Sequence, residues 1–117
     1  MEHDDSFQEY LKTLDCVPTV TIIAARQIWQ LIEKEFNNIF PLPVAIPIEN
    51  QGLQLSWTLN RQHLSIDVCT DILEWFFRDR KTGDLDGGDI VGLESLPKTL
   101  LYRLSLINGE NYENQTK

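Results

Sequence analysis

Residues 53–59 (LQLSWTL), 63–68 (HLSIDV) and 72–78 (ILEWFFR) decide the fold, because each alternates apolar and polar side chains with the period of a strand. Leu53, Leu55 and Trp57, then Leu64, Ile66 and Val68, then Leu73, Trp75 and Phe77 read as one buried face. Gln54, Ser56, Thr58, His63, Ser65, Asp67, Glu74 and Arg78 fall on the other. Three such runs with short gaps predict an antiparallel meander. With Asn60-Arg61 and Thr70-Asp71 as two-residue turns, Trp57 faces Leu64, Leu55 faces Ile66 and Leu53 faces Val68. Val68 then faces Leu73, Ile66 faces Trp75 and Leu64 faces Phe77. Every inward pair is apolar, and a one-residue slip would expose them all.

The segments on either side extend this frame. Pro41-Leu42-Pro43-Val44-Ala45-Ile46-Pro47 lacks three ladder donors, so it reads as an extended lead-in along a sheet edge, with a turn over 49–52. Upstream, Ser6-Phe7-Gln8-Glu9 has the form of a capping box, and Phe7, Tyr10, Leu11 and Leu14 recur at helical spacing to about Asp15. After Pro18, a helix capped by Thr19 or Thr21 carries a stripe of Ala25, Ile28, Trp29, Ile32, Phe36, Ile39 and Phe40. Arg26, Gln30, Glu33, Lys34 and Asn37 lie opposite, and Pro41 sets the limit of the helix. Residues 82–94 read as a Gly/Asp-rich loop with a short strand over 89–93. Ser95-Leu96-Pro97 opens a last helix striped by Leu96, Leu100, Leu101, Leu104 and Ile107, with Asn108-Gly109 as its stop. The fold class is therefore α+β. Two N-terminal helices precede an antiparallel three- to four-stranded β-meander, and a C-terminal helix packs on one sheet face. Residues 1–109 are expected to form one domain and 110–117 a flexible tail.

Composition narrows the function classes. The chain has 117 residues, a formal net charge of −8 and 42% hydrophobic residues. A chain of that length buries roughly 65% of its unfolded surface as one domain. The negative balance argues against nucleic acid and against an anionic membrane surface, both of which select Lys and Arg. The acidic start Met1-Glu2-His3-Asp4-Asp5 is unlike a signal peptide, so a cytoplasmic location is expected. The charge is concentrated in two places. Residues 1–17 hold five acids against Lys12, and residues 71–94 hold seven against Arg78, Arg80 and Lys81. Patches of one sign can steer a basic partner, although solvation is their commoner use.

Several candidate sites weaken on inspection. Thr82-x-Asp84-x-Asp86-Gly87 has the start of a calcium loop, yet Leu93 stands where a bidentate Glu is needed. His63, Ser65 and Asp67 lie two apart on one strand, about 6.5–7 Å, too far for the contacts of a triad. Cys16, Cys69, His3 and His63 lack zinc spacing, so no metal and no cofactor is expected. Trp29, Trp57 and Trp75 fall on inward stripes and read as core. The register sets Asp67 opposite Glu74, with Gln54 on its other side. Such a pair is destabilising unless screened, and it could serve metal or acid–base chemistry. Phe76 breaks the polar face, so either an element covers it or a partner does.

The Pro-rich lead-in, Gly52, Leu53-x-Leu55-x-Trp57, the acidic alternating strand and Glu74-Trp75-Phe76-Phe77-Arg78-Asp79 resemble a group of small uncharacterised bacterial proteins. Their pattern is a P-x-x-x-P lead-in, a G-G-[IL]-x-L-x-W hairpin, an I-E-I-like strand, a D-G turn and an aromatic strand. This chain departs from it with Gln51-Gly52 for the Gly pair and Asp71-Ile72 for the D-G turn. The resemblance covers about forty residues (42–83) and implies a compact cytoplasmic α+β fold with no assigned activity.

Two functional classes follow. One is a non-catalytic protein-interaction module that binds through Phe76, Arg78, Asp84, Asp86 and Asp89. Its partner would be a basic protein, as for an antitoxin- or immunity-like protein, or a second copy in a homodimer. The other is a small metal- or carboxylate-dependent enzyme on the outer sheet face, using Asp67, Glu74 and His63.

Overall fold

In the computed structural model all residues are described except 1–6, 8, 38, 60, 70 and 117, and side chains are described as far as 108. The capping residue Ser6, the first three acids (Glu2, Asp4 and Asp5) and the turn residues Asn60 and Thr70 therefore lie outside the described residues. A first helical segment, α1, includes Phe7 and residues 9–12. It is followed by α2 (Thr19–Glu35), β1 (Val44–Ile48), β2 (Gly52–Leu59), β3 (Gln62–Val68), β4 (Leu73–Asp79), β5 (Leu85–Asp89) and α3 (Lys98–Thr116). The strands form one antiparallel sheet in the order β1-β2-β3-β4-β5. The class is α+β as expected, with five strands rather than three or four.

The middle three strands pair in the register that the apolar alternation dictates. Trp57 faces Leu64, Leu55 faces Ile66 and Leu53 faces Val68. Val68 faces Leu73, Ile66 faces Trp75 and Leu64 faces Phe77. The Pro-rich lead-in becomes β1 at one edge, where Pro47 needs no second ladder partner. Both long helices pack on the face made by these inward residues, and the core joins Leu55, Trp57, Ile66 and Phe77 to Ile28, Trp29, Ile32, Leu100, Leu104 and Ile107. Phe7 lies 5.4 Å from Trp29, ring to ring, so α1 is tied to α2. Trp57 meets Phe40 edge-on and donates its indole N–H to the Pro41 carbonyl at 2.8 Å. All three tryptophans are core residues.

The remaining differences are local. Neither Thr19 nor Thr21 caps α2: Pro18 stands at the cap with no side-chain hydrogen bond, and the Thr21 hydroxyl donates to the Gln51 carbonyl. Helix α2 ends at Glu35, and Asn37 turns the chain at φ 56°, so Ile39 leaves the stripe and is exposed while Phe40 returns to the core. Glu33 is buried rather than solvated, because it shares a flank with Trp29, one helical turn earlier. The strand near residue 89 lies earlier, at 85–89, and α3 runs past Gly109 to Thr116. One glycine costs a helix about 1 kcal/mol against alanine, too little to end it alone. No helix among the described residues is long and apolar enough to cross a membrane.

Candidate functional site

With both long helices on one side, the other face of the sheet carries no helix among the described residues. Antiparallel register arranges its outward side chains in rows across the strands. One row is Ile46, Gln54, Asp67, Glu74 and Asp89. The next is Val44, Ser56, Ser65, Phe76 and Gly87. A third is Thr58, His63, Arg78 and Leu85. Successive rows stand about 7 Å apart along the strands.

The face is amphipathic. Phe76 is 46% exposed, and Val44, Ile46, Ile72 and Leu85 are also largely exposed. Ser56 and Ser65 are buried between taller neighbours, which leaves a shallow hollow of about 260 Å³ beside Phe76. Ser65, Asp67, Glu74, Phe76 and Asp89 line it, with Trp75 and Gly88 at its floor. Two glycines let β5 lie close against β4. A Cβ on Gly87 would lie 2.8 Å from the Trp75 carbonyl oxygen, and one on Gly88 would press on the Trp75 indole at 3.3 Å.

Asp67 and Glu74 are cross-strand neighbours, as the register requires, and Asp89 joins them from β5. Gln54 donates from Nε2 to an Asp67 carboxylate oxygen at 2.9 Å, which relieves part of the like-charge contact. Among the described residues no three His, Cys, Asp or Glu side chains are placed to hold a metal ion. His63 lies two rows from Asp67 and shares a 2.7 Å hydrogen bond with the Thr58 hydroxyl. Burial, followed by the nearby charges of Arg78 and Arg80, pushes its pKa below the usual value. Burial pushes the Cys69 thiol up, with Asp67 and Glu74 adding to the effect.

The acids of residues 71–94 divide by direction. Asp84 and Asp89 are exposed. Asp86 points to the helical side, where Arg103 Nε donates to its carboxylate at 2.9 Å and the guanidinium lies 4.5 Å from the Phe77 ring centroid. That charge-assisted bond, with the Gly87 N–H, holds the Asp86 carboxyl below the usual range. Asp79 is buried, which by itself would raise its pKa. Donation from the Thr82 and Lys81 N–H groups and Gln62, with Arg61 nearby, more than offsets this and leaves the pKa lowered. Asp79 therefore shapes the β4–β5 turn. In the same turn Gly83 is at φ 82°. The Asp84 N–H donates to the Thr82 hydroxyl, and Asp86 turns away, so these oxygens do not converge as calcium ligands do.

No family model, curated protein or solved structure matches the chain.

Proposed function

We propose that this chain is a non-catalytic protein-interaction module whose binding surface is the outer face of the sheet, centred on Phe76. One observation carries the reading: a five-stranded sheet with both long helices on one side leaves the other side with exposed Val44, Ile46, Ile72, Phe76 and Leu85. Apolar side chains grouped on an uncovered face and rimmed by charge are the usual mark of a protein contact. Arg78 and Asp89 flank Phe76 on the face itself, and Asp84 lies exposed in the turn beside it. Asp86 contributes indirectly, by holding β5 to α3 through Arg103. The enzyme reading asks for Asp67, Glu74 and His63 to converge on one enclosed space. Asp67 and Glu74 instead border an open hollow, with His63 outside it.

A photoactivatable phenylalanine analogue at position 76 tests the surface in the cell that makes the protein. Adducts from position 76, with none from the exposed α2 position 30, are the expected result. Absence of adducts at 76, or equal labelling at 30, would overturn the reading.

A further inference from the structure

We propose that the occupant of this face is a second copy of the chain. The two sheets would pack face to face about a twofold axis that runs across the strands through the Phe76 row. This rests on the surface reading above and names its partner.

The order of charge along the strands carries the inference. The first row is acidic, with Asp67, Glu74 and Asp89. The middle row, with Ser65 and Phe76, is uncharged. The third row holds Arg78 beside His63, and the alternation of β4 places Arg80 one row beyond. A uniformly basic partner would suit the first row but meet Arg78 and Arg80 with like charge. A uniformly acidic partner would fail at the other end. The matching surface has the same order reversed, and a copy turned about the stated axis presents it. Closed dimers require this self-complementarity, in which i meets j and j meets i.

In that arrangement Phe76 meets Phe76 at the axis, while Glu74 of each copy meets Arg78 of the other. An axis along the strands would instead set Glu74 against Glu74, and like charges across an interface oppose docking. Size is also adequate. Five strands about 4.8 Å apart, five to eight residues long, give a footprint of roughly 24 by 21 Å. With side-chain relief this approaches the ~800 Å² per partner of a standard interface.

Sedimentation of the full chain, over concentrations up to roughly 100 µM, tests the proposal. A monomer–dimer equilibrium is expected. Glu74→Arg and Arg78→Glu should each weaken it by at least about tenfold, through like-charge contacts. Combining them should restore it to within about threefold, because the swap re-forms both pairs. Phe76→Asp supplies an independent variant at the axis and should also weaken it at least about tenfold. A wild type that stays monomeric, a dimer indifferent to these changes, or a double variant no better than the singles would each overturn the second-copy assignment. A monomer that still gives position-76 adducts with other proteins leaves the surface reading standing. A chain with no adducts there loses both.

Discussion

Gln51 occupies a backbone conformation that its side chain does not favour. It and Asn50 both lie at φ 62° in the three-residue turn between Ile48 and Gly52. Asn tolerates the left-handed region through local hydrogen bonding, whereas an ordinary L-residue pays roughly 1–2 kcal/mol there. Glycine adopts this conformation without that cost. Gln51→Gly is expected to raise stability by up to about 1 kcal/mol, after the extra freedom glycine gives the unfolded chain. The Thr21 hydroxyl bonds the Gln51 carbonyl, which the substitution keeps. A higher urea midpoint with an unchanged slope is the expected reading; a lower midpoint would place the turn in another conformation.

The same logic runs in reverse at β5. Gly87 stands opposite Phe76 with the Trp75 carbonyl beneath it, and backbone cannot move aside as a side chain can. Gly87→Ala is expected to cost about 1–3 kcal/mol by overpacking. Amide exchange should speed along the β4–β5 ladder and leave β2–β3 protected. Equal acceleration of both ladders would show that β5 is not a separable edge. This strand also marks the limit of what the sequence reveals. Strands β2, β3 and β4 were legible because one buried face imposes strict alternation, and alternation fixes register. Leu85–Asp89 has one half-buried residue among exposed ones and two glycines, so it pairs through backbone alone and leaves no pattern to read. The candidate site was legible to the same extent. The Asp67–Glu74 opposition followed from the register of β3 and β4. The addition of Asp89 and the inward turn of Asp86 depend on β5, so both were hidden. Helix α2 shows a related limit: its stripe continues in sequence to Phe40, while Asn37 ends the helical path earlier. Its start also lacks a side-chain cap and any acid in the first turn. Val20 is exposed there. Val20→Glu should therefore stabilise the fold by about 0.3–1 kcal/mol through the helix dipole, a gain that salt diminishes in thermal melts.

Across the whole molecule, two sets of groups connect stability to pH. Folding lowers the pKa of His63 from 6.5, first through burial and then through Arg78 and Arg80. The unfolded chain then binds the proton more readily, so stability is full above pH 6.5 and declines as pH falls through the lowered value. Asp79 and Asp86 are both held below 3.8, Asp79 because its hydrogen-bond donors outweigh burial and Asp86 mainly by Arg103. Their contribution is full above pH 3.8 and is lost as pH falls below it. Melting temperature, followed at a protein concentration low enough to keep monomers, should stay level from pH 8 to about 6.5. It should then dip, and fall more steeply below about pH 4. His63→Gln should remove the first decline and leave the second, because the ring stands apart from both carboxylates. Asp86→Asn should lower stability at neutral pH and flatten the acid limb, since it leaves Arg103 without its charged partner against Phe77. A His63→Gln protein that keeps the first decline below pH 6.5 would assign that proton to another group and remove His63 from the account of stability.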